Sequence, residues 1–467
     1  MIGFLAVAAL AASTSQTEIT VYNAGFGLVK ESRKLAVKKG RQSLAIQDVP
    51  SQINPTSVAI KPLAGKAPFS LLEQNYEYDL ISTQAILNKS VGQQVRFVRT
   101  IGQKKEVLTG TLLSAPTAIV SSGGASQPTY NGMVIRTDDN RIVLDPTGEI
   151  EVRAIPPGLI SRPTLTWDVD SPGTGMEDVE LSYITNGLGW DANYVLTLNS
   201  KGGADLQGWV TLNNTSGATW KDARLKLLAG NVNVVQAKAP VELGVVTKSD
   251  AVAAAPAFAE QALFEYHLYT LQRPTTLRNN ETKQISLLEG HGVSVTKKLI
   301  IDSIDGQYYP GEGEVGTGDI KPDVRLEFVN SATNGLGMPL PKGSFRVYQR
   351  DKSGSVQMLG EDSIDHTPRN EKIALNVGTS FDVVATRKRL AYKVINHRRY
   401  REEFSIEVRN RKTEPETVYV FERHYGDWRI TAETQPYTKL DSNTAQFVVT
   451  LKPNESKTVT YSVDTRW

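Results

Sequence analysis

The sequence contains no cysteine among its 467 residues. Disulfides, thiol nucleophiles and thiolate metal sites are therefore excluded. An excess of positive charge is also missing, because 52 Lys and Arg residues stand against 50 Asp and Glu residues and leave a formal net charge of +2. Since a nucleic-acid-binding domain that relies on bulk charge needs a net basic surface, we expect no nucleic-acid partner.

Long hydrophobic runs are scarce, and no apolar segment reaches the roughly 20 residues that a membrane-spanning helix needs. The apolar run over residues 2–12 has the length of a signal-peptide core, and Ala9-Leu10-Ala11 supplies the small-x-small pattern of a cleavage site. We therefore predict a signal peptide over residues 1–16 and an exported protein that is periplasmic, at the cell surface or extracellular. The alternative is a buried first strand or a short helix.

Local signatures of catalysis are missing. The five histidines include no pair at i, i+4 spacing, and the chain has neither a Gly-x-Ser-x-Gly elbow nor a nucleotide-binding Gly-Lys-Ser/Thr loop. Gly311, Gly313 and Gly316 match the spacing of a dinucleotide-binding loop, but Glu312 and Glu314 between them would repel phosphate. We therefore predict no cofactor and no identifiable catalytic residue. A triad or a carboxylate pair formed by distant residues stays open as an alternative.

Carboxylates are concentrated around the same glycines, and calcium prefers oxygen ligands of this kind. Their spacing fits no calcium-loop pattern, so a solvated acidic loop is the main interpretation and a calcium site is the alternative. The acidic residues are Asp302, Asp305, Glu312, Glu314, Asp319 and Asp323.

Alternation of apolar and polar residues is the commonest pattern of the chain, as half-buried antiparallel strands require. It is clearest over residues 179–183, 194–198, 404–408 and 459–463. The sequence also has 37 glycines and 22 prolines, which suits a fold with many turns. We predict an all-β fold made of several antiparallel β-sandwich units with an inserted small β-barrel-like domain.

Three kinds of local element are predicted within this fold. Hairpin turns are expected around Gly40 and Gly354, each with the glycine at positive φ. A short helix is expected over residues 83–89, with Ser82 as its N-cap. Residues 264–269 are aromatic-rich and alternate, which favours a strand there over a helix.

Shifts in composition divide the chain into seven segments. The inserted barrel is predicted where several short strands surround a polar stretch of small residues, and a mobile loop is predicted where Ala and Pro accumulate without alternation. The segments are 1–16, the signal peptide; 17–90, an N-terminal β region with the short helix; 91–163, the barrel; 164–235, the first part of a central β-sandwich; 236–261, the mobile loop; 262–380, the second part of the central region; and 381–467, a C-terminal β-sandwich.

One stretch of the last segment is strongly basic and carries the candidate interaction residues. Such a concentration of Lys and Arg would suit an anionic surface polymer or phospholipid headgroups. The alternative is a solvated sheet face whose charges are balanced by acids elsewhere in the fold. The candidates are Arg387, Lys388, Arg389, Arg398, Arg399 and Arg401.

Aromatic residues are prominent in the central region. We predict that Trp190, Tyr194 and Trp209 are structural anchors, because large rings fill sandwich cores more often than they bind ligands. Trp209 is expected on the strand face opposite Val210 and Leu212, so that its strand covers two layers. A carbohydrate-stacking platform is the alternative interpretation.

Several sequence phrases together carry a resemblance to a known family. They include Thr20-Val21-Tyr22-Asn23, Asp48-Val49-Pro50, Leu181-Ser182-Tyr183, Gly189-Trp190-x-Ala192-x-Tyr194, Gly208-Trp209-Val210-x-Leu212-x-Asn214, Tyr269-x-Leu271-x-Arg273-Pro274 and Asn410-Arg411-Lys412. The chain resembles the exported bacterial proteins of the domain-of-unknown-function 4139 family, which is related to the domain shared by mucoidy-inhibitor A-like proteins. The resemblance implies an envelope-associated, β-rich protein and no known reaction.

Two hypotheses about function follow from these patterns. The first is an exported, non-catalytic cell-envelope or extracellular β-sandwich protein with a structural or interaction role, whose partner is another envelope protein or a surface polymer, with contact to a membrane surface as a further option. The second is a hydrolase that acts on envelope glycan or peptide through carboxylates in an interdomain cleft.

Overall fold

The computed structural model describes most of the chain, and β-strands dominate it. The single α-helix within the described residues is α1 (Thr83–Lys89), and two 3-10 turns lie at Pro55–Ser57 and Ala332–Asn334. The predicted all-β fold is therefore confirmed. The described residues are 16–65, 69–101, 104–115, 117–119, 129–146, 148–199, 202–233, 258–302 and 317–467.

The strands follow one another along the chain in this order. Up to residue 152 they are β1 (Gln16–Tyr22), β2 (Phe26–Val37), β3 (Gly40–Gln47), β4 (Ala59–Gly65), β5 (Ser70–Glu77), β6 (Gln94–Ile101), β7 (Lys104–Ser114), β8 (Thr117–Ile119), β9 (Thr129–Asn131), β10 (Val134–Thr137), β11 (Ile142–Leu144) and β12 (Glu149–Val152). From residue 164 to residue 302 they are β13 (Thr164–Ser171), β14 (Gly175–Asn186), β15 (Leu188–Leu198), β16 (Gly203–Asn214), β17 (Trp220–Ala229), β18 (Phe258–Leu263), β19 (Tyr266–Leu271), β20 (Thr275–Leu277), β21 (Glu281–Ser294) and β22 (Thr296–Asp302).

The remaining strands lie from residue 318 onward. They are β23 (Gly318–Ile320), β24 (Asp323–Val329), β25 (Gly343–Arg350), β26 (Val356–Ile364), β27 (Lys372–Thr379), β28 (Val383–Asn396), β29 (Arg399–Asn410), β30 (Glu416–Arg423), β31 (Asp427–Glu433), β32 (Tyr437–Lys439), β33 (Thr444–Leu451) and β34 (Ser456–Arg466). The buried apolar side chains on β29 and β34 alternate with exposed or half-buried polar ones along much of each strand, as the sequence pattern predicts.

The central region consists of two large sheets and one small sheet around a common core. The larger sheet has the order β18-β19-β17-β1-β2-β14-β4, with β20 also paired to β17. The second has the order β21-β16-β15-β25-β26, and the small one β3-β13-β5. Trp167, Trp190 and Tyr194 are among the buried side chains that these sheets share.

A pair of long segments turns a corner between two of these sheets. β2 pairs antiparallel with β14, and the strand after it, β3, pairs antiparallel with β13. Residues 26–47 and 164–186 therefore run side by side from one sheet into the other. The hairpin predicted around Gly40 is wrong, because β2 and β3 lie in different sheets, although Gly40 has a φ of 91°. The hairpin predicted around Gly354 is confirmed as β25–β26, with a φ of 89° at the glycine.

Parallel strand pairs link distant parts of the sequence, whereas the sequence pattern predicts antiparallel units. Among the described strands, β1 pairs in parallel with β17, β15 with β25, and β22 with β30. The sheets are therefore mixed. Each of these pairs needs a long crossover connection, because parallel neighbours cannot be joined by a tight turn.

The inserted segment is a five-stranded sheet with the order β11-β10-β7-β6-β12. Leu87 of α1 packs in its small core with Val95, Phe97 and Leu112. The helix matches the prediction, and Ser82 caps it by accepting a hydrogen bond from the Ala85 backbone N–H at 3.1 Å. Within the described residues the sheet does not close, so the predicted barrel is corrected to an open sheet. Its edge strands, β11 and β12, are three and four residues long and do not pair with each other.

The C-terminal sandwich consists of two facing sheets. One has the order β27-β24-β22-β30-β33-β32 and the other β23-β28-β29-β34-β31. Leu299, Val420, Phe447 and Val459 belong to its core. Three strands of the first sheet precede residue 381, so this sandwich begins earlier in the sequence than the predicted segment.

Buried asparagines fasten the turns that follow two strands in the same way. Asn214, at the end of β16, donates hydrogen bonds to the carbonyl groups of Ala218 and Arg278, each at 2.9 Å, and its side-chain oxygen accepts one from Ser216 N–H. Asn410, at the end of β29, donates hydrogen bonds to the carbonyl groups of Glu414 and Lys452, at 2.8 and 3.1 Å. Its side-chain oxygen accepts one from Lys412 N–H. Each amide therefore ties its own turn to another part of the chain.

Of the helices in the described chain, none has the length and hydrophobicity required to cross a membrane. The strand predicted over residues 264–269 is confirmed for residues 266–269, which belong to β19, whereas Phe264 and Glu265 form the turn of the β18–β19 hairpin, with a φ of 56° at Phe264. Of the predicted mobile loop, residues 236–257 lie outside the described residues, and residues 258–261 belong to β18.

Candidate functional site

Arg387, the first of the six predicted interaction residues, lies in the core of the C-terminal sandwich. Only 1% of its side chain is exposed, and its Nη2 lies 2.8 Å from Oε2 of Glu422. Tyr461 donates a hydrogen bond to the same carboxylate, and the guanidinium lies 4.0 Å from the centre of the Phe404 ring. Burial would lower the pKa of Arg387, but the adjacent Glu422 carboxylate raises it above its ordinary value. Arg387 therefore forms an interior ion pair and offers no surface for a partner.

The alternation along β28 contains the signal for this burial. Val383 and Ala385 precede Arg387 at two-residue spacing, and all three side chains are buried on the same face. Because side chains of one strand alternate between faces, the position of Arg387 follows from its two apolar predecessors. Because Lys388 and Arg389 follow Arg387 directly, the sequence grouped it with the surface cations.

Three further candidates have acidic partners. Arg389 lies 3.1 Å from Glu402. Arg399 and Arg401 both bind Asp464, at 2.8 and 3.2 Å. The hydrogen bonds from Arg399 lower the pKa of the Asp464 carboxyl to about 2, so this carboxylate stays ionised between its two arginines.

Lys388 and Arg398 are exposed, and no carboxylate of the described residues lies within ion-pair distance of either. The structure brings further cations to the same end of the sheet. Lys393 pairs with Arg401, Arg401 with Asp464, and Asp464 with Arg429 in neighbouring strands. With strands about 4.8 Å apart, this row spans about 14 Å on the outer face. We name the basic end by its residues Lys393, Arg398, Arg399, Arg401, Arg429 and Arg466.

Lys393 lies within the basic stretch of the sequence although it is not one of the six candidates, whereas two members of the basic end lie outside that stretch. Arg429 lies on β31 and Arg466 on β34, and both are exposed. They join the cluster only because β34 pairs between β29 and β31. No local sequence motif predicts that these residues lie close together. The carboxylates on the outer face here are Asp427, opposite Arg466, Asp464, which already binds two arginines, and Glu403, two residues after Arg401 on β29.

Exposed apolar side chains lie along the last part of β28 and beside the turn that joins it to β29. β28 carries two β-bulges, in which Leu390 and Ile395 are the extra residues, and these side chains are 53% and 42% exposed. Val394 is 58% exposed, and so is Trp467, whose backbone N–H donates a hydrogen bond to the Arg398 carbonyl at 3.0 Å. We name this set, Leu390, Val394, Ile395 and Trp467, the apolar tip. Within the described chain, no strand pairs with the outer edge of β28 beyond Arg387.

The predicted anchors occupy the central core. Trp190 and Tyr194 are each 1% exposed, and the Trp190 ring meets the Tyr269 ring edge-on with 6.4 Å between centroids. Tyr194 stacks on Phe345 at 4.5 Å and donates a hydrogen bond to the Pro341 carbonyl at 2.8 Å. These two rings are inaccessible to a carbohydrate.

Trp209 differs from the other two. It is half-buried on the face of β16 opposite the buried Val210 and Leu212, which agrees with the expectation that this strand covers two layers.

A comparison with family models decides the relationship of the chain. The model described as a domain of unknown function, DUF4139, matches residues 179–467. The chain belongs to the DUF4139 family. The match begins within β14 and includes most of the central region, the whole C-terminal sandwich and the basic end. A comparison with curated proteins found no match.

The described part of this DUF4139 protein contains an open groove of about 700 Å³ beside β24. One carboxylate, Glu327, lines it, and Lys298 and Lys372 contact this carboxylate at 2.8 and 2.7 Å. Burial would raise the pKa of Glu327, but the two lysine hydrogen bonds lower it below its ordinary value. A glycoside hydrolase needs two carboxylates, one of which holds a proton. This groove supplies one, and it is ionised and paired.

Several predicted residues of the DUF4139 chain lie outside the described part. They are the glycines of the loop 311–316 and the acidic residues Asp305, Glu312 and Glu314. Of the other acidic candidates, Asp302 binds Arg423 at 2.6 Å, and Asp319 accepts a hydrogen bond from Thr386 at 2.6 Å. Within the described residues, no three His, Asp or Glu side chains cluster in a way that would hold a metal ion.

Proposed function

We propose that this DUF4139 protein is an exported, non-catalytic protein of the bacterial cell envelope that acts by binding, and that the basic end is its contact surface. The observation that carries the proposal is the charge balance at this end of the sheet. Six cations stand against three carboxylates, Asp427, Asp464 and Glu403, and Asp464 already binds Arg399 and Arg401. Lys393, Arg398, Arg429 and Arg466 have no carboxylate of the described chain within ion-pair distance.

The physical consequence is a local positive potential on a molecule with a nearly neutral total charge. At physiological ionic strength charges act over about 8 Å, so cations in adjacent strands reinforce one another. Such a patch attracts anionic partners and accelerates their encounter. The predicted signal peptide and the resemblance to exported proteins support the placement in the envelope, where anionic polymers and lipids are abundant.

Binding to isolated bacterial envelopes tests the proposal. The purified chain should co-sediment with envelopes at low salt and be released at high salt, because surface electrostatics are screened. The variant with Lys393→Glu, Arg398→Glu and Arg466→Glu should bind at least about tenfold more weakly. The control variant has Lys221→Glu, Arg273→Glu and Lys352→Glu, which changes the net charge equally at exposed positions elsewhere. Equal binding by both variants, or no binding by the unmodified chain, would refute the proposal.

Export is tested separately. Mass spectrometry of the chain recovered from its own cells should find an N-terminus near residue 12 to residue 17 in the envelope or secreted fraction. Recovery of the chain from the cytosol with Met1 intact would contradict it.

A further inference from the structure

We infer that the partner of the basic end is the anionic headgroup surface of a lipid bilayer, into which the apolar tip inserts. This inference rests on the proposed function and names the chemistry of its partner. It combines two observations that the binding proposal alone leaves separate: the position of the exposed apolar side chains, and their place next to the cations along β28 and beside Arg398.

The first argument is the shape of the site. Val394 and Ile395 come directly before the turn that joins β28 to β29, and the backbone of Trp467 is hydrogen-bonded to Arg398 within that turn. These three side chains therefore lie at the end of a hairpin, and Leu390 lies five residues before Ile395 on β28. A protruding end can enter a bilayer interface, where Trp side chains concentrate and apolar groups reach about 5–10 Å into the headgroup region.

The second argument is the order of charge and apolarity. Cations occupy the outer face immediately behind the tip, in the row that Lys393, Arg401 and Arg429 define. When the tip is inserted, these side chains lie at headgroup depth. Each Lys or Arg near an anionic leaflet strengthens binding by about fivefold. Apolar insertion and cation contact thus act at the same time.

The third argument separates a bilayer from a peptide strand. An added strand needs a regular row of N–H and C=O groups along the edge. The bulges at Leu390 and Ile395 interrupt the edge of β28 at both ends of its outer segment, which leaves residues 391–394 regular. Bulges are a common device against strand addition. A lipid surface requires no such row, and the same bulges direct Leu390 and Ile395 to solvent.

A second hairpin of the chain serves as an internal comparison. β25–β26 exposes Val356 and Met358 to 48% and 50%, similar to the apolar tip. It has no excess of cations, because Asp351 lies in its turn and Glu361 binds Arg346 at 2.6 Å. Apolar exposure alone is therefore present elsewhere, and the combination with the basic end distinguishes the tip.

Vesicle flotation tests the inference with the full chain. The probes are phosphatidylcholine vesicles with or without about one third phosphatidylglycerol, at about 0.15 M salt. The chain should bind the anionic vesicles at least about tenfold more tightly than the neutral ones. Val394→Asn with Ile395→Asn should weaken anionic binding by about tenfold or more, because apolar insertion is lost. The matched control, Val356→Asn with Met358→Asn, should bind like the unmodified chain.

Each possible outcome either supports or overturns the inference. Equal affinity for the two vesicle types, or full binding by the tip variant, overturns the inference. Binding to envelopes without binding to anionic vesicles also overturns it, and the proposed binding function then stands with a polymer or protein partner. If the unmodified chain binds neither envelopes nor anionic vesicles, both proposals are overturned. The melting temperature of each variant is measured alongside, and a folded tip variant that has lost only vesicle binding supports the inference.

Discussion

Arg387 and Glu422 form a salt bridge inside the C-terminal sandwich, and neither side chain is more than 1% exposed. The central region contains a similar arrangement. There Glu31 accepts hydrogen bonds from Arg33, from the Tyr183 hydroxyl at 2.6 Å and from Trp220 Nε1 at 3.0 Å. In both places a buried carboxylate is satisfied by an arginine and a tyrosine. Removing either partner of such a pair leaves an uncompensated charge in the core.

The first prediction concerns this ion pair. Arg387→Met or Glu422→Leu alone should destabilise the protein by about 3–5 kcal/mol, because the remaining charge is buried without its partner. The double variant should be much more stable than the sum of the two losses implies. Urea unfolding of the four proteins in a double-mutant cycle measures this coupling.

An exposed pair provides the control. Arg346 binds Glu361 at 2.6 Å with 38% and 50% of the side chains exposed, and Arg346→Met should cost less than about 1 kcal/mol. A loss at Arg387 as small as the loss at Arg346 would show that the buried pair carries no special weight.

The second prediction concerns pH. His424 is buried among Phe404, Trp428 and Tyr461, and burial lowers its pKa to about 4. Its Nε2 has no hydrogen-bond partner within the described residues. In the unfolded chain a histidine titrates near about 6.5, so between these values the unfolded state binds more protons. The stability contribution is complete above pH 6.5 and is lost as the pH falls toward 4, by up to about 3 kcal/mol.

Chemical unfolding at a series of pH values measures this loss. His424→Phe should remove this part of the acid sensitivity, because a phenyl ring cannot be protonated. The same substitution at the exposed His397 is the control and should keep the pH dependence of the original chain. An unchanged pH profile in His424→Phe would contradict the assignment.

The third prediction compares two tryptophans. Trp190 is fully enclosed, so Trp190→Ala should cost about 3–5 kcal/mol. Trp209 is half-buried, so Trp209→Ala should cost clearly less. Thermal and urea unfolding give both values. A Trp190→Ala protein that melts like the original but fails to bind envelopes would instead make Trp190 a binding residue.

The fourth prediction concerns the turn-fastening asparagines. Asn214→Ala removes the hydrogen bonds that the side chain donates to Ala218 and Arg278 and the two that it accepts from Ser216, at a buried position, so a loss of about 2–3 kcal/mol is expected. Its neighbour Asn213 is exposed and accepts one hydrogen bond from Thr282 at 2.7 Å. Asn213→Ala should therefore stay within about 0.5 kcal/mol of the original chain. If both substitutions have the same effect, the buried amide does not fasten this turn.

Local features of the fold could be predicted because they depend on neighbouring residues. The alternation over residues 404–408 places its apolar side chains inward, and Ser82 caps the helix that follows it. The hairpin expected at Gly40 was wrong for a different reason. A glycine at positive φ permits a tight turn, but β3 pairs with β13, more than 100 residues away, whereas β2 pairs with β1 and β14.

The candidate site shows the same division. The sequence identified the basic stretch around Arg398, but it could not separate the interior Arg387 from the solvent-facing residues without following the alternation from Val383. The contribution of Arg429 depends entirely on the pairing of β31 with β34. The sequence thus shows how many charges a stretch carries, whereas the surface potential depends on which strands the fold places side by side.

The parallel pairing of β1 with β17 has a consequence for biosynthesis. Glu18 aligns with Arg224, about 200 residues later in the chain. A ribosome adding about 5–20 residues per second needs about 10–40 s to cover that distance. During this interval β1 has left the ribosome, but β17 has not yet been synthesised. The edge of β1 that pairs with β17 is therefore open to incorrect pairing with other strands of the growing chain. The central sheet is thus assembled late, and a holding factor that shields the early strand would improve the yield of native protein.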